Sequence, residues 1–217
     1  MEQEILRPWQ KSVIRIVAGA PEVSSFYLTG GTALAGYYLH HRVSEDLDFF
    51  SFEEFELAAV EAVAKRIKEE LGAEEMRFFR RFDRRQFFYR RGDQEFKVEF
   101  THYPFKQLEP PHVYDRLRVD SKFDMAVNKL MTICERFDPK DFVDLYFLLH
   151  EYPLERMREG VREKFGMKLD PLVVGSELAQ VRGIHALPKM TVELTVQELK
   201  DFFTDQAKTL RSEVLEE

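Results

Sequence analysis

Apolar positions change their period along this chain. Between Pro8 and Ala18, Val13, Ile14, Ile16 and Val17 fall among Lys11, Ser12 and Arg15, the spacing of a helix with one buried face. Ser25-Phe26-Tyr27-Leu28 is a short apolar run ending at Thr29-Gly30-Gly31-Thr32, which predicts a strand entering a turn. Thr32 can cap the next segment, Ala33 to His40, whose length and low polarity predict a buried helix. Asp46-Leu47-Asp48-Phe49-Phe50 alternates polar and apolar residues before running into aromatics, a strand pattern. Within Glu53 to Leu71, Phe55, Ala59, Val63 and Ile67 recur every four residues until Gly72 stops an amphipathic helix. Strand-like patterning returns from Met76 to Phe105. A tight turn is expected at Arg91-Gly92-Asp93-Gln94, and Phe96, Val98 and Phe100 then alternate with Lys97, Glu99 and Thr101.

Pro110-Pro111 interrupts this pattern, and the chain beyond it reads as helical. Helices are expected over Ser121 to Arg136, Pro139 to Glu151, Leu154 to Phe165, Pro171 to Val181 and Thr195 to Leu210. Asp138 stands as N-cap of the second of these, with Pro139 at its first helical position. The expectation is an α+β chain: a mixed α/β domain over residues 1–110 and an all-α domain over residues 111–217. Neither an internal repeat nor a low-complexity segment is visible.

A length of 217 residues suits one large domain or two small ones, and 44% hydrophobic with 33% charged residues suits a globular protein with a core. No stretch approaches the roughly 18 apolar residues needed to cross a bilayer, and Met1-Glu2-Gln3-Glu4 lacks the basic and apolar regions of a secretory signal. The single cysteine, Cys134, cannot form an intrachain disulfide, and no Cys/His cluster suggests zinc. A cytoplasmic protein with no membrane partner is expected. The net charge of −7 argues against a surface coated in basic groups, yet seven arginines fall between Arg77 and Arg91, so charge is unevenly spread.

The stretch from Leu28 to Phe50 carries the chemistry. Glycines at a strand-to-helix turn let the backbone approach a phosphate closely, and a new helix presents unpaired N–H groups and its positive dipole end to an anion. Residues two apart on a strand share a face, so Asp46 and Asp48 project together while Leu47 and Phe49 point into the core. Paired carboxylates repel unless a cation lies between them, and an all-oxygen pair suits Mg2+ or Mn2+. A Gly-Gly pair alone is most often only a turn, and Asp-x-Asp alone a solvated edge; their order around one helix is the informative feature. Glu99 is the candidate third carboxylate, on a strand that would lie beside Asp46–Asp48; the other reading pairs it with Lys97 as surface charge. Ser44, two residues before Asp46, would sit beside bound phosphates or merely cap its loop. In the helical half, Lys129 could neutralise phosphate charge, whereas Lys140 and Asp144 also fit an ordinary i,i+4 ion pair worth roughly 0.3–0.5 kcal/mol.

Tyr27-Leu28-Thr29-Gly30-Gly31-Thr32-Ala33-Leu34 followed by His41-Arg42-Val43-Ser44-Glu45-Asp46-Leu47-Asp48-Phe49-Phe50 resembles the AbiEii/AbiGii toxin family of nucleotidyltransferases, within the DNA polymerase β-like superfamily. Asp124 to Lys129 resembles the family's later Asp-x4-Lys, and Arg136 to Asp144 its Arg-x3-Lys-Asp-x2-Asp run. The resemblance covers Phe26 to about His150; Lys97-Val98-Glu99 matches the intermediate motif only loosely.

This resemblance implies a polymerase β-like nucleotidyltransferase domain, a mixed sheet with flanking helices, followed by the helical domain. It implies transfer of a nucleoside monophosphate from a nucleoside triphosphate to an acceptor hydroxyl, with RNA or a tRNA end as acceptor and a separately encoded antitoxin. Asp46, Asp48 and Glu99 would bind metal; Asp46, Asp48, Glu99, Lys129 and Asp144 would be catalytic; Gly30, Gly31, Thr32, Ser44, Lys140 and Asp141 would hold the nucleotide. Two rival readings keep the same site: a kinase-like phosphotransferase, and a nucleotide-binding or interaction module without catalysis. The aromatics Phe78, Phe79, Phe82, Phe87, Phe88 and Tyr89 interleave with the arginines as in single-strand-binding surfaces. A core role is expected for most of these rings, and RNA contact is the alternative for Arg84, Arg85, Arg90 and Arg91.

Overall fold

The computed structural model describes residues 5–216, with side chains to residue 210. Strands β1 (Tyr27–Thr29), β2 (Leu47–Ser51), β3 (Glu75–Arg81), β4 (Arg84–Arg91), β5 (Gln94–His102), β6 (His112–Tyr114) and β7 (Leu117–Val119) form one sheet in the order β3-β4-β5-β2-β1-β7-β6. The sheet is mixed. β1 runs antiparallel to β2 and parallel to β7, β2 runs parallel to β5, and β3, β4 and β5 form an antiparallel meander. Chain contacts divide the molecule into two units. The first runs to Tyr38 and resumes over Val43–Lys106 and Pro110–Ser121; the second takes Leu39–Arg42, Gln107–Glu109 and the chain from Lys122 onward. The sheet thus continues past Pro110-Pro111, where the sequence pattern suggests a division. The cause is apolar: Leu117 and Val119 are buried, and Val119 pairs with Leu28.

In the first unit, helix α1 (Pro8–Ala18) buries Trp9, Gln10, Val13, Ile14 and Val17. Helix α3 (Leu57–Leu71) buries Val60, Val63, Ala64, Ile67 and Leu71. It stops at Gly72, whose left-handed φ of 60° lets its own N–H and that of Ala73 bond back to Glu69 and Lys68. The helix begins later than the pattern from Glu53 suggests, because the Ser51 hydroxyl donates to the Glu53 carbonyl and accepts from the Glu53 N–H. That local turn competes with helix. Phe55 lies ahead of the helix, edge-on to Phe26 at 4.8 Å. Between β1 and β2, helix α2 (Gly30–Ala33) widens into π-helical turns over Leu34–Leu39, so the helical segment starts earlier than expected, at the glycines themselves.

Leu28, Leu47, Phe49, Phe87, Tyr89, Val98 and Phe100 are fully enclosed in the sheet's core. Each such side chain contributes roughly 1.5–3 kcal/mol by leaving water. Phe78, Phe79 and Phe82 are exposed, contrary to the core role expected for most aromatics of that stretch. Phe78 and Phe79 sit on β3, an edge strand with a single neighbour, and Phe82 sits in the turn that follows it.

The second unit is built from α4 (Lys122–Glu135), α5 (Pro139–Leu149), α6 (Leu154–Phe165), α7 (Pro171–Ala179) and α8 (Val196–Glu216). Asp138 caps α5 by accepting from the Lys140 N–H at 2.9 Å. Among the described residues, no helix is long and apolar enough to cross a membrane. Asp124 is buried and spends its carboxylate on the Lys164 ammonium at 2.7 Å and on the N–H groups of Leu108 and Glu109. This is why residues 107–109 travel with the helices.

A second buried charge network centres on Asp144. Its carboxylate accepts from Arg42 Nε at 2.6 Å and Nη2 at 2.7 Å, and lies 2.7 Å from both His41 Nε2 and Lys129 Nζ. Lys129 also reaches Asp141 at 2.6 Å, and Arg136 bonds the other Asp141 oxygen at 3.0 Å. An ionised carboxylate can only accept, so His41 carries its proton on Nε2. Burial would raise the Asp144 carboxyl, but Lys129, Arg42 and His41 hold it well below its ordinary range. For His41 burial wins over the attraction of Asp144, and the imidazole is kept neutral.

Both shifts stabilise the fold at neutral pH and withdraw that stability on acidification, starting at different pH values. The His41 contribution is complete above its ordinary value of 6.5 and fades as pH falls through it. The Asp144 contribution fades only below its ordinary value of 3.8. Urea unfolding midpoints at pH 7.5 and 5.5 should therefore differ less in His41→Gln than in the parent chain; equal differences would contradict this account. Asp144→Ala, which strands Arg42 in the interior, should lose roughly 3–5 kcal/mol in the same assay.

Candidate active site

The site is built by strand register. Asp48 on β2 pairs with Thr29 on β1 and with Glu99 on β5, so it stands between the end of β1 and a second carboxylate. Leu47 and Phe49 point into the core and leave Asp48 on the other face with Asp46 just ahead of the strand. The Asp46 side chain is 51% exposed and Asp48 25%. Glu99 is only 1% exposed. The β5 alternation is therefore covered on both faces at this point, and Glu99 and Lys97 are not an exposed pair.

Gly30 follows β1 with φ of +73°, a left-handed conformation that favours glycine. A Cβ there would come within 2.8 Å of Asp48 Oδ2, so the carboxylate lies directly against the Gly30 backbone. The N–H groups of Gly31 and Thr32 open the helical segment beside it. Thr32 is buried, and its hydroxyl donates to the Asp46 carbonyl, tying the turn to the start of β2. Thr29 donates to the buried Asp120 at 2.9 Å, which anchors the end of β1.

Lys97 Nζ lies 3.3 Å from Asp46, 3.3 Å from Glu99 and 4.0 Å from Asp48, a single ammonium facing three carboxylates. Burial would lower the Lys97 pKa, but Asp48, Glu99 and Asp46 together raise it. Asp48 is pushed up to about 6, first by burial and then by Glu99 and Asp46, against the pull of Lys97. Glu99 goes the other way. Burial opposes ionisation, but the Gln86 amide at 2.7 Å, Lys97, Arg84 and the Thr101 hydroxyl at 3.0 Å hold its carboxyl below the ordinary range.

The donor set fits a hard divalent cation: three carboxylates, with Asp48 raised in pKa by burial and by its two acidic neighbours. As the side chains stand, no group of three or more His, Cys, Asp or Glu among the described residues is already arranged around one metal position. The Lys97 ammonium is what the three carboxylates share.

Ser44 is positioned by its backbone: its carbonyl accepts from Gln10 Nε2 at 3.0 Å, and Gln10 is wholly buried on α1. Gln10, an amide inside the apolar stripe of a helix, carries a signal in the sequence that periodicity alone does not read. Gln86 and Thr101 carry none and come to the site only through the β4–β5 register. Lys129, Asp141 and Asp144 lie in the buried network of the helical unit, whereas Lys140 is exposed near the start of α5. Of the arginines, Arg84 reaches Glu99 at 3.4 Å, Arg85 bonds the Phe82 carbonyl, Arg90 pairs with Glu74 and Glu75, and Arg91 bonds the Leu71 carbonyl.

Known proteins share this architecture along nearly the whole chain. An uncharacterised protein of Aquifex aeolicus (strain VF5), aq_aa25, is 27% identical over 213 residues, 94% of this chain and 96% of that one. The crystal structure of JHP933 from Helicobacter pylori superposes with a TM-score of 0.57 at 20% identity, over 96% of this chain and 91% of that one. MenT4, a nucleotidyltransferase toxin of Mycobacterium tuberculosis H37Rv, gives 0.56 at 16% identity, over 94% and 82%. The two solved structures establish the fold. The family model described as nucleotidyl transferase AbiEii toxin, Type IV TA system, matches residues 15–215. That span takes in the glycine turn, the Asp46–Asp48 strand, Glu99 and the helical unit, and the chain belongs to the AbiEii family of nucleotidyltransferase toxins.

Proposed function

We propose that this chain moves a nucleoside monophosphate from a nucleoside triphosphate to a hydroxyl of an RNA acceptor, tRNA being the class the family resemblance suggests. The observation that supports this best is Asp48 lying against the Gly30 backbone on one side and beside Glu99 on the other. A triphosphate seated on the amides of Gly30, Gly31 and Thr32 has its reacting phosphorus within reach of the carboxylates. Asp46, Asp48 and Glu99 would hold Mg2+ or Mn2+. Such an ion offsets phosphate charge and activates an attacking oxygen. Ser44, in the loop held by Gln10, helps orient Asp46.

In the reaction the acceptor oxygen forms a bond to the α-phosphorus, the bond from that phosphorus to the β-phosphate bridging oxygen breaks, and pyrophosphate leaves with the electron pair. The hydroxyl proton passes to a carboxylate or to solvent. Glu99 is a weak base, because its neighbours hold it ionised; its part is charge and orientation. Through the motif they match, Lys129 and Asp144 are assigned to the reaction and Asp141 to holding the nucleotide, and Lys140 is assigned to phosphate charge. The toxin reading carries a separately encoded antitoxin as partner.

Total RNA incubated with each α-labelled nucleoside triphosphate and Mg2+ should become radioactive, and γ-label should appear only in pyrophosphate. Transfer of γ-label to any acceptor would instead mark a phosphotransferase. Asp46→Asn and Asp48→Asn should each lower turnover by at least about 10³-fold, with Tm preserved. In Gly30→Ala, the left-handed φ costs roughly 1–2 kcal/mol and Cβ pushes Asp48 aside, so activity should fall much further than stability. Lys140→Ala should leave Tm unchanged while raising KM for the triphosphate, since its side chain is exposed; an unaltered KM would remove Lys140 from the site.

A further inference from the structure

Beside the carboxylates, between the start of α1 and the β4–β5 turn, lies a pocket of about 460 Å³. That is within the roughly 300–1,000 Å³ of small-molecule sites. We infer that this pocket is the acceptor subsite and takes the terminal ribonucleoside of a single-stranded RNA. The inference rests on the transfer reaction proposed above and names where its second substrate binds.

Position is the first argument. Asp46 and Lys97 form part of the pocket wall, so an occupant is in direct reach of the reacting groups. Direction is the second. In-line displacement puts the entering and leaving oxygens on opposite sides of the phosphorus. The Gly30–Thr32 turn follows β1, on one side of β2, and the triphosphate tail belongs there. The pocket is walled by Phe88 and Arg91 of β4 and by Phe96 and Lys97 of β5, which lie on the other side of β2. A nucleophile entering from this side faces a pyrophosphate leaving towards β1.

Lining chemistry is the third. Phe88, half-buried and paired with Lys97, shares the face of the carboxylates and offers a ring on which a base can stack, while Trp9 and Phe96, with ring centroids 4.8 Å apart, close the pocket from the opposite face of β5. Arg91 is held by the Leu71 carbonyl and the Gln94 amide, both at 3.2 Å, with its guanidinium 5.4 Å from the Phe96 centroid. A fixed cation beside aromatic rings suits a nucleotide backbone. Trp9 is 8% exposed, and among the described residues its Nε1–H is buried without a hydrogen-bond partner. The apolar floor and the arginine bid for the same ligand.

Trp9 is the only tryptophan of the chain, so emission excited selectively at tryptophan reports on this pocket. A short single-stranded oligoribonucleotide with a free 3′ end, titrated without triphosphate, should change the emission saturably. Arg91→Ala and Phe88→Ala should weaken that binding at least 10-fold and raise KM for RNA by a similar factor, leaving KM for the triphosphate unchanged. A response to triphosphate in place of RNA would assign the pocket to the other substrate and overturn the inference. Labelling of RNA with no change in emission, and no change in KM for RNA in the folded variants, would overturn it while sparing the proposed reaction. Labelling of something other than RNA, with the oligonucleotide leaving emission unchanged, would remove both.

Discussion

Asp46, Asp48 and Glu99 crowd three mutually repelling carboxylates around one ammonium, and their surroundings are a solution to that repulsion. Parallel pairing of β2 with β5 sets Asp48 beside Glu99, and the strand period brings Asp46 to the same face. At such spacings the carboxylates cannot all ionise freely in a partly dehydrated place. The chain answers unequally. Glu99 is saturated with donors from Gln86, Thr101, Arg84 and Lys97, while Asp48 carries the residual strain and Asp46 is left largely in water. The result is a graded set of oxygens with one ammonium in common.

Much of this was legible in the residues. The Gly30-Gly31 pair, the Asp46–Asp48 alternation and their order around one helix follow from local rules, and so do Asp138 as a cap and the helices beyond Ser121. Other parts were not. The helical segment starts at Gly30 because the turn and the helix are one object, and Phe55 falls outside α3 because Ser51 ties up the Glu53 backbone. β6 and β7 return to the sheet after two prolines, a pairing set by Leu28 and Val119, far apart in the chain. The roles of Gln86, Thr101 and Lys97 depend on the β4–β5 register, which period alone does not specify.

The helical unit handles charge differently. Asp144, Arg42, His41 and Lys129 are all enclosed, and Asp124 with Lys164 forms a second enclosed pair. Removing one partner from such a group strands the rest without water. Motif residues of this unit thus carry folding as well as whatever chemistry the family assigns them, so a lost activity in an Asp144 or Lys129 variant has meaning only beside a measured stability. Lys140, outside the network, has no such double role.

The amide of Gln10 has a consequence of its own. It grips the carbonyl of Ser44 from inside α1, whereas the neighbouring Arg7–Glu45 pair holds the same loop from the solvent side. An exposed ion pair weakens as added electrolyte screens it. A neutral donor on a carbonyl, sealed from solvent, does not. The approach to the aspartates therefore has one fastening that answers to the ionic surroundings and one that is indifferent to them, and the indifferent one keeps Asp46 in register when the other lets go.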